Sequence, residues 1–152
     1  MTKTNLKVGN HFSFKAEKVP EGVFDSRQIN QRLVVSFFPK LNTKVCDLQT
    51  LKISELVNRY PAEKFVAISL DPISVGKEWL QVHQVKNLTL LSDAKMRDFA
   101  SQTGLLTADG SMLLRGLMLI DADQRVVALS VNQDLKVAPD YQAITKFLDV
   151  KN

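Results

Sequence analysis

The chain has a single cysteine, Cys46, in 152 residues, and only 6 glycines and 5 prolines. One thiol excludes an internal disulfide and fits a reducing compartment, where a cysteine either packs quietly or reacts. Few glycines and prolines, with 45% hydrophobic and 24% charged residues, exclude a disordered or fibrous chain. No apolar run is long enough to cross a bilayer, and the opening MTKTNLKVGNHFSFK lacks the apolar stretch of a secretory signal. No membrane association is expected, and the cytoplasm is the expected compartment. The net charge of +4 is scattered, without a run of like charges or a basic stretch interleaved with aromatics, so no nucleic-acid partner is expected either. His11 and His83 are far apart, with no cysteine or carboxylate at ligand spacing; they are expected at the surface, and no metal is expected.

What is present is an alternation of apolar runs and helical periodicity. The length suits one domain over residues 1–152. LVVSFF, 33–38, is a short β-rich run closed by Pro39, and KFVAISL, 64–70, and NLTLLS, 87–92, repeat the pattern. Between them, Val45, Leu48, Leu51, Ile53, Leu56 and Val57 recur at roughly helical spacing and stop at Pro61, while 72–84 forms a second helix with Trp79 packed on the sheet. DAKMRDFASQTG, 93–104, predicts a helix capped by Asp93 and ended by Gly104. LLRGLMLID and RVVALSVN predict a hairpin, and a closing helix follows Pro139. The first 31 residues are expected to add short strands or loops. The order βαβαβα then ββα gives an α/β fold, a three-layer sandwich with a central mixed sheet flanked by helices, of thioredoxin type.

Cys46 falls in the first turn of the helix that follows the first buried strand, beside unpaired backbone N–H groups and the positive end of the helix dipole. Both favour a thiolate. Thr43 can bring a hydroxyl beside the sulfur, Pro39 closes the loop without adding a donor, and Arg115 opens an apolar strand, where a charge needs a partner or a purpose. Each has a plainer reading: a lone cysteine is often core, a Thr before a helix is often a cap, and an Arg at a strand edge often pairs at the surface. Met112 and Met118, flanking Arg115, are expected to be core filler, and the NLT sequence at 87–89 is expected in a buried strand.

PKLNTKVC, 39–46, fits the P-x-x-x-T-x-x-C pattern of peroxiredoxins and most resembles their thiol peroxidase branch. AISLDPI, LTLLSD, LLRGLMLID and PDYQAITKFL resemble later segments of that branch, so the similarity runs from about Leu6 to Leu148. The resemblance implies a thioredoxin-like fold of peroxiredoxin type and makes Cys46 the peroxidatic nucleophile, with Thr43, Pro39 and Arg115 aligning a hydroperoxide. It implies no cofactor, and a homodimer; Gln49 matches a polar position that supports Arg115 or the dimer contact. That branch carries a resolving cysteine where this chain has Leu80, and LKISEL replaces its basic, Phe-containing continuation. Set against that branch, the sequence is expected to start later and to lack most of its N-terminal hairpin. The implied activity is reduction of hydrogen peroxide and alkyl hydroperoxides, with an external thiol reductant, a thioredoxin-like protein or a small thiol, as partner. The alternative is a diverged redox sensor or binding protein with little turnover.

Overall fold

The computed structural model describes residues 6–85 and 87–150. A seven-stranded sheet has the order β2-β1-β5-β4-β3-β6-β7. Its centre is three parallel strands, β3 (Leu33–Phe37), β4 (Lys64–Ser69) and β5 (Thr89–Ser92), joined by α1 (Lys44–Arg59) and α2 (Ile73–His83). The predicted hairpin, β6 (Arg115–Ile120) and β7 (Val126–Asn132), adds antiparallel beside β3. At the other edge β1 (Lys15–Lys18) and β2 (Val23–Asp25) are the short strands expected near the N-terminus, with β1 antiparallel to β5. This is the mixed sheet of a thioredoxin-like α/β fold.

Strand alternation divides the interior in two. Leu33, Val35 and Phe37 of β3, with Met118 and Ile120 of β6, face one cluster; Val34 of β3, with Leu117 and Leu119 of β6, faces the other. The second cluster lies under α1, α2 and α4 (Gln142–Leu148), and Trp79 is buried in it as expected. The first is covered by α3 (Asp98–Thr103) and by Phe12 and Phe14, whose rings meet Phe99 edge-on at 5.9 and 5.1 Å. One face of the sandwich is thus helical, while the other is largely built from the N-terminal segment.

The predicted helix over 93–104 is shorter. Residues 94–96 form a turn, Arg97 takes a left-handed φ of 50°, and regular helix begins at Asp98. Asp93 still caps it, but at longer range: its fully buried carboxylate accepts from the backbone N–H of Phe99 (3.1 Å) and of Ala100 (2.8 Å). Three residues of turn bring the free N–H groups of α3 back over the side chain. Gly104 closes the helix in the left-handed region, as expected. The last helix begins at Gln142, and Asn87 is exposed ahead of β5, bonded to Ser54, rather than in a buried strand.

Burial holds the Asp93 carboxyl above its ordinary value, against the pull of the two N–H groups. The native state therefore binds this proton more tightly than the unfolded chain, so the group's contribution is present at low pH and is lost as pH rises through the shifted value. Asp93→Ala is expected to cost about 1–3 kcal/mol in denaturant unfolding, the penalty for orphaned buried donors, and to remove that part of the pH slope.

Candidate active site

The site lies where β3 ends. Pro39 stops the strand, and the loop that follows is pinned from both sides: Leu41 N–H donates to Asp71 Oδ2 (2.8 Å) and Asn42 N–H to Asp47 Oδ1 (3.0 Å), with Asn42 in the left-handed region at φ 65°. α1 starts at Lys44, which puts Cys46 in its first turn, as the periodicity predicts. Cys46 is 1% exposed.

Arg115 reaches it from β6. Odd-numbered residues of β6 face α1, and Arg115, the first of them, is 2% exposed. Its Nη2 lies 3.2 Å from Cys46 Sγ. Nη1 donates to Gln49 Oε1 at 2.8 Å, while Nε and Nη2 both donate to the Leu135 carbonyl, at 3.1 and 2.8 Å. Among the described residues no carboxylate stands within ion-pair distance of this guanidinium. Gln49 is itself held by its amide, which donates to Ser36 Oγ (2.8 Å), the Phe37 carbonyl (3.1 Å) and the Gly116 carbonyl (3.3 Å). At Gly116 a side chain would collide with the Ser130 carbonyl and come within 2.5 Å of the Phe37 ring. Close approach of β6 to its neighbours thus requires the glycine beside the arginine.

A cleft of about 290 Å³ opens onto the sulfur and the guanidinium, with Pro39, Thr43, Val45, Met112 and Leu135 in its walls. The structure therefore brings Cys46, Arg115, Pro39 and Thr43 to one cleft and places Gln49 behind Arg115. Thr43 differs in detail from the expectation: its hydroxyl donates to the Lys40 carbonyl at 2.9 Å, stabilising the loop, and the position caps α1 without a side-chain bond. Met112 is a wall of the cleft rather than core filler, while Met118 is fully buried. His83 is half-buried rather than a simple surface residue: its ring stacks on Trp79 with centroids 4.2 Å apart, and Nε2 lies 3.8 Å from Asp47 Oδ2. Trp79 Nε1 donates to Asp47 Oδ1 at 2.8 Å, tying α2 to the turn that carries Cys46. Tyr141, half-buried, has its hydroxyl pushed up to about 12 by burial and stays protonated despite the nearby Arg115 charge. A larger cleft, about 700 Å³, lies at the opposite ends of β3 and β4, around Arg32 and Tyr60, and contains no thiol. No cluster of metal-ligating side chains occurs among the described residues.

Sequence reasoning missed the Leu135 carbonyl, which has no side-chain signature, and the clasp formed by Asp47, Trp79 and His83. Ser36 left a trace, as the one polar residue inside LVVSFF.

Residues 8–129 match the model of the AhpC/TSA family. The chain belongs to that family. It is 32% identical over 119 residues to a thiol peroxidase of Helicobacter pylori, covering 76% of this chain and 71% of the relative. A thiol peroxidase of Clostridium acetobutylicum is 25% identical over 142 residues, covering 93% and 87%. Among solved structures, a thiol peroxidase from Chromobacterium violaceum superimposes with a TM-score of 0.86 at 18% identity, covering 98% of this chain and 90% of that one. A peroxiredoxin-like protein from Aquifex aeolicus gives 0.83 at 21% identity, covering 97% and 91%. These two likenesses bear on the fold, which is that of peroxiredoxins.

Gln49→Leu is expected to leave the Ser36 hydroxyl and one Arg115 N–H without their partner, costing about 1–3 kcal/mol in chemical denaturation. A loss below about 0.5 kcal/mol would show that the guanidinium is positioned without Gln49.

Proposed function

We propose that this protein is a thiol-dependent peroxidase that reduces hydrogen peroxide and alkyl hydroperoxides through Cys46. The observation that carries the reading is the buried Arg115 guanidinium 3.2 Å from Cys46 Sγ, with no carboxylate to neutralise it among the described residues. A cation in that place stabilises a thiolate and then the negative charge that develops on the attacked peroxide. The family match and the thiol peroxidases among the relatives support the same chemistry.

The thiolate attacks one peroxide oxygen. An S–O bond forms, the O–O bond breaks, and the departing oxygen takes a proton and leaves as water or alcohol, so that Cys46 becomes a sulfenic acid. Arg115 holds the peroxide and the sulfur in line, Pro39 keeps bulk water from the sulfur, and Thr43 shapes the mouth of the cleft through its bond to Lys40. With one cysteine in the chain, and Leu80 on α2 where the branch carries its resolving thiol, an external thiol condenses with the sulfenic acid, releasing water, and a second thiol cleaves the mixed disulfide. The reductant is a thioredoxin-like protein or a small thiol. The same reading makes the protein a cytoplasmic homodimer of one-domain chains; no helix among the described residues is long and apolar enough to cross a membrane.

The test is single-turnover consumption of hydrogen peroxide by the reduced protein, with mass analysis of Cys46. A second-order rate orders of magnitude above that of a free thiol, with sulfenic acid trapped at Cys46, is expected. A rate no better than free cysteine would leave the redox sensor without its first step and the peroxidase without its chemistry. Arg115→Met is expected to slow the reaction about 100-fold or more, the usual cost of one donor to a developing oxyanion. Thr43→Val is expected to slow it less, because the hydroxyl acts through the loop; an unchanged rate would remove Thr43 from the site.

A further inference from the structure

We propose that Asp47, Trp79 and His83 position Cys46 for its reaction with the reducing thiol, and that protonation of His83 slows that step by holding the first turn of α1 shut. The inference rests on the peroxidase reading and adds a regulation to it. Asp47 follows Cys46 in the same turn, whereas Trp79 and His83 belong to α2. Asp47 Oδ1 accepts from the Trp79 indole at 2.8 Å and from the Asn42 N–H at 3.0 Å, and Oδ2 faces His83 Nε2 at 3.8 Å. Among the described residues Oδ2 has no hydrogen-bond donor. His83 Nδ1 lies 3.0 Å from the Trp79 carbonyl, which can only accept, so the ring carries its hydrogen on Nδ1. The neutral ring therefore turns a lone pair on Nε2 towards the carboxylate, and the protonated ring turns a positively charged N–H towards it. One proton converts a repulsive contact into an attractive one.

That contact resists a movement which the reducing step requires. The thiolate forms an S–S bond to Cys46 as the S–O bond of the sulfenic acid breaks, and the departing hydroxide takes a proton and leaves as water. The two sulfurs end about 2.05 Å apart. Cys46 is 1% exposed, in a cleft of about 290 Å³, so a bulky thiol meets it only after the turn has swung outward. Asp47 moves with the turn, while Trp79, fully buried, anchors α2 in the core; opening parts Asp47 from the indole and from the imidazole. The indole bond holds at every pH, and the imidazole adds to it only while His83 is protonated. With side chains 25% and 22% exposed, such a pair changes the opening equilibrium by about two- to fivefold. Among the described residues no other carboxylate lies within ion-pair distance of the ring. β5, on which α2 packs, brings Thr89, Leu90, Leu91 and Ser92, none of which titrates near neutral pH. On α2 itself Lys77 and Glu78 lie about 120° and 140° round the helix from His83. Lys44, a turn before Asp47, is exposed and makes no ion pair among the described residues.

The experiment oxidises Cys46 of the full-length protein with an equivalent of hydrogen peroxide, then follows its reaction with 2-nitro-5-thiobenzoate between about pH 5.5 and 8, where an imidazole changes charge. This aromatic thiolate is bulky and stays ionised over that range, so its own titration drops out. The rate of His83→Gln relative to wild type is expected to be about two- to fivefold at the acid end and near one at the alkaline end. His83→Lys, positively charged throughout, is expected to react slowly at both ends. Trp79 is the one tryptophan in the chain and reports the contact without any peroxide. Its emission in the reduced protein is expected to titrate over the same range in wild type and to stay flat in His83→Gln. A rate ratio that does not change with pH, or an emission titration that survives in His83→Gln, overturns the role of His83 and leaves the peroxidase standing. A protein that forms no sulfenic acid at Cys46 overturns both.

Discussion

Placing a guanidinium inside this protein beside a sulfur, with no carboxylate among the described residues to meet it, is the constraint from which the rest of the site follows. A charge removed from water must be repaid by dipoles or by an anion, or the fold loses several kcal/mol. Arg115 is met by four directed bonds, to one sulfur, one amide oxygen and, twice, one backbone carbonyl. The partners come from two segments: Cys46 and Gln49 from α1, and Leu135 from the segment after β7. Gln49 is in turn fixed by Ser36 and Phe37 at the end of β3. The edge of the parallel sheet, the hairpin and the first helix are thus held in one polar network within an apolar layer.

A second constraint acts on the turn that bears the cysteine. Asp47 receives the Asn42 N–H and the Trp79 indole and faces His83, so the loop before α1 and the middle of α2 are tied at one carboxylate. In a chain with no second cysteine, α2 has no thiol to deliver to the sulfenic acid, and a fixed α2 is consistent with resolution from outside. On the peroxidase reading the cleft has to admit both oxidant and reductant, past a lysine-bearing mouth and along a wall of Val45, Met112 and Leu135.

Much of this was legible beforehand. Short apolar runs ending at Pro39, or before helical periodicity, located β3, β4 and β5, because parallel strands covered on both faces are mostly apolar. The hairpin was equally clear, since β6 and β7 are long and their connection short. The helix at 93–104 was misplaced because a capping aspartate is assumed to act two or three residues ahead, whereas Asp93 acts six and seven residues ahead across a turn. Thr43 was read as a partner of the sulfur because spacing along the chain says nothing about which acceptor a hydroxyl will choose.

The sequence by itself determined the order of elements, the position of Cys46 in the first turn of a helix, and the presence of a charge at the head of an apolar strand. Those depend on local periodicity and on residue type, which are written along the chain. Only the tertiary structure decided that Arg115 points at the sulfur, that Gln49 and the Leu135 carbonyl hold it there, and that Trp79 and His83 meet Asp47. Residues 46 and 115 are brought to 3.2 Å by the antiparallel pairing of β3 with β6, a contact across 69 positions that no local pattern encodes.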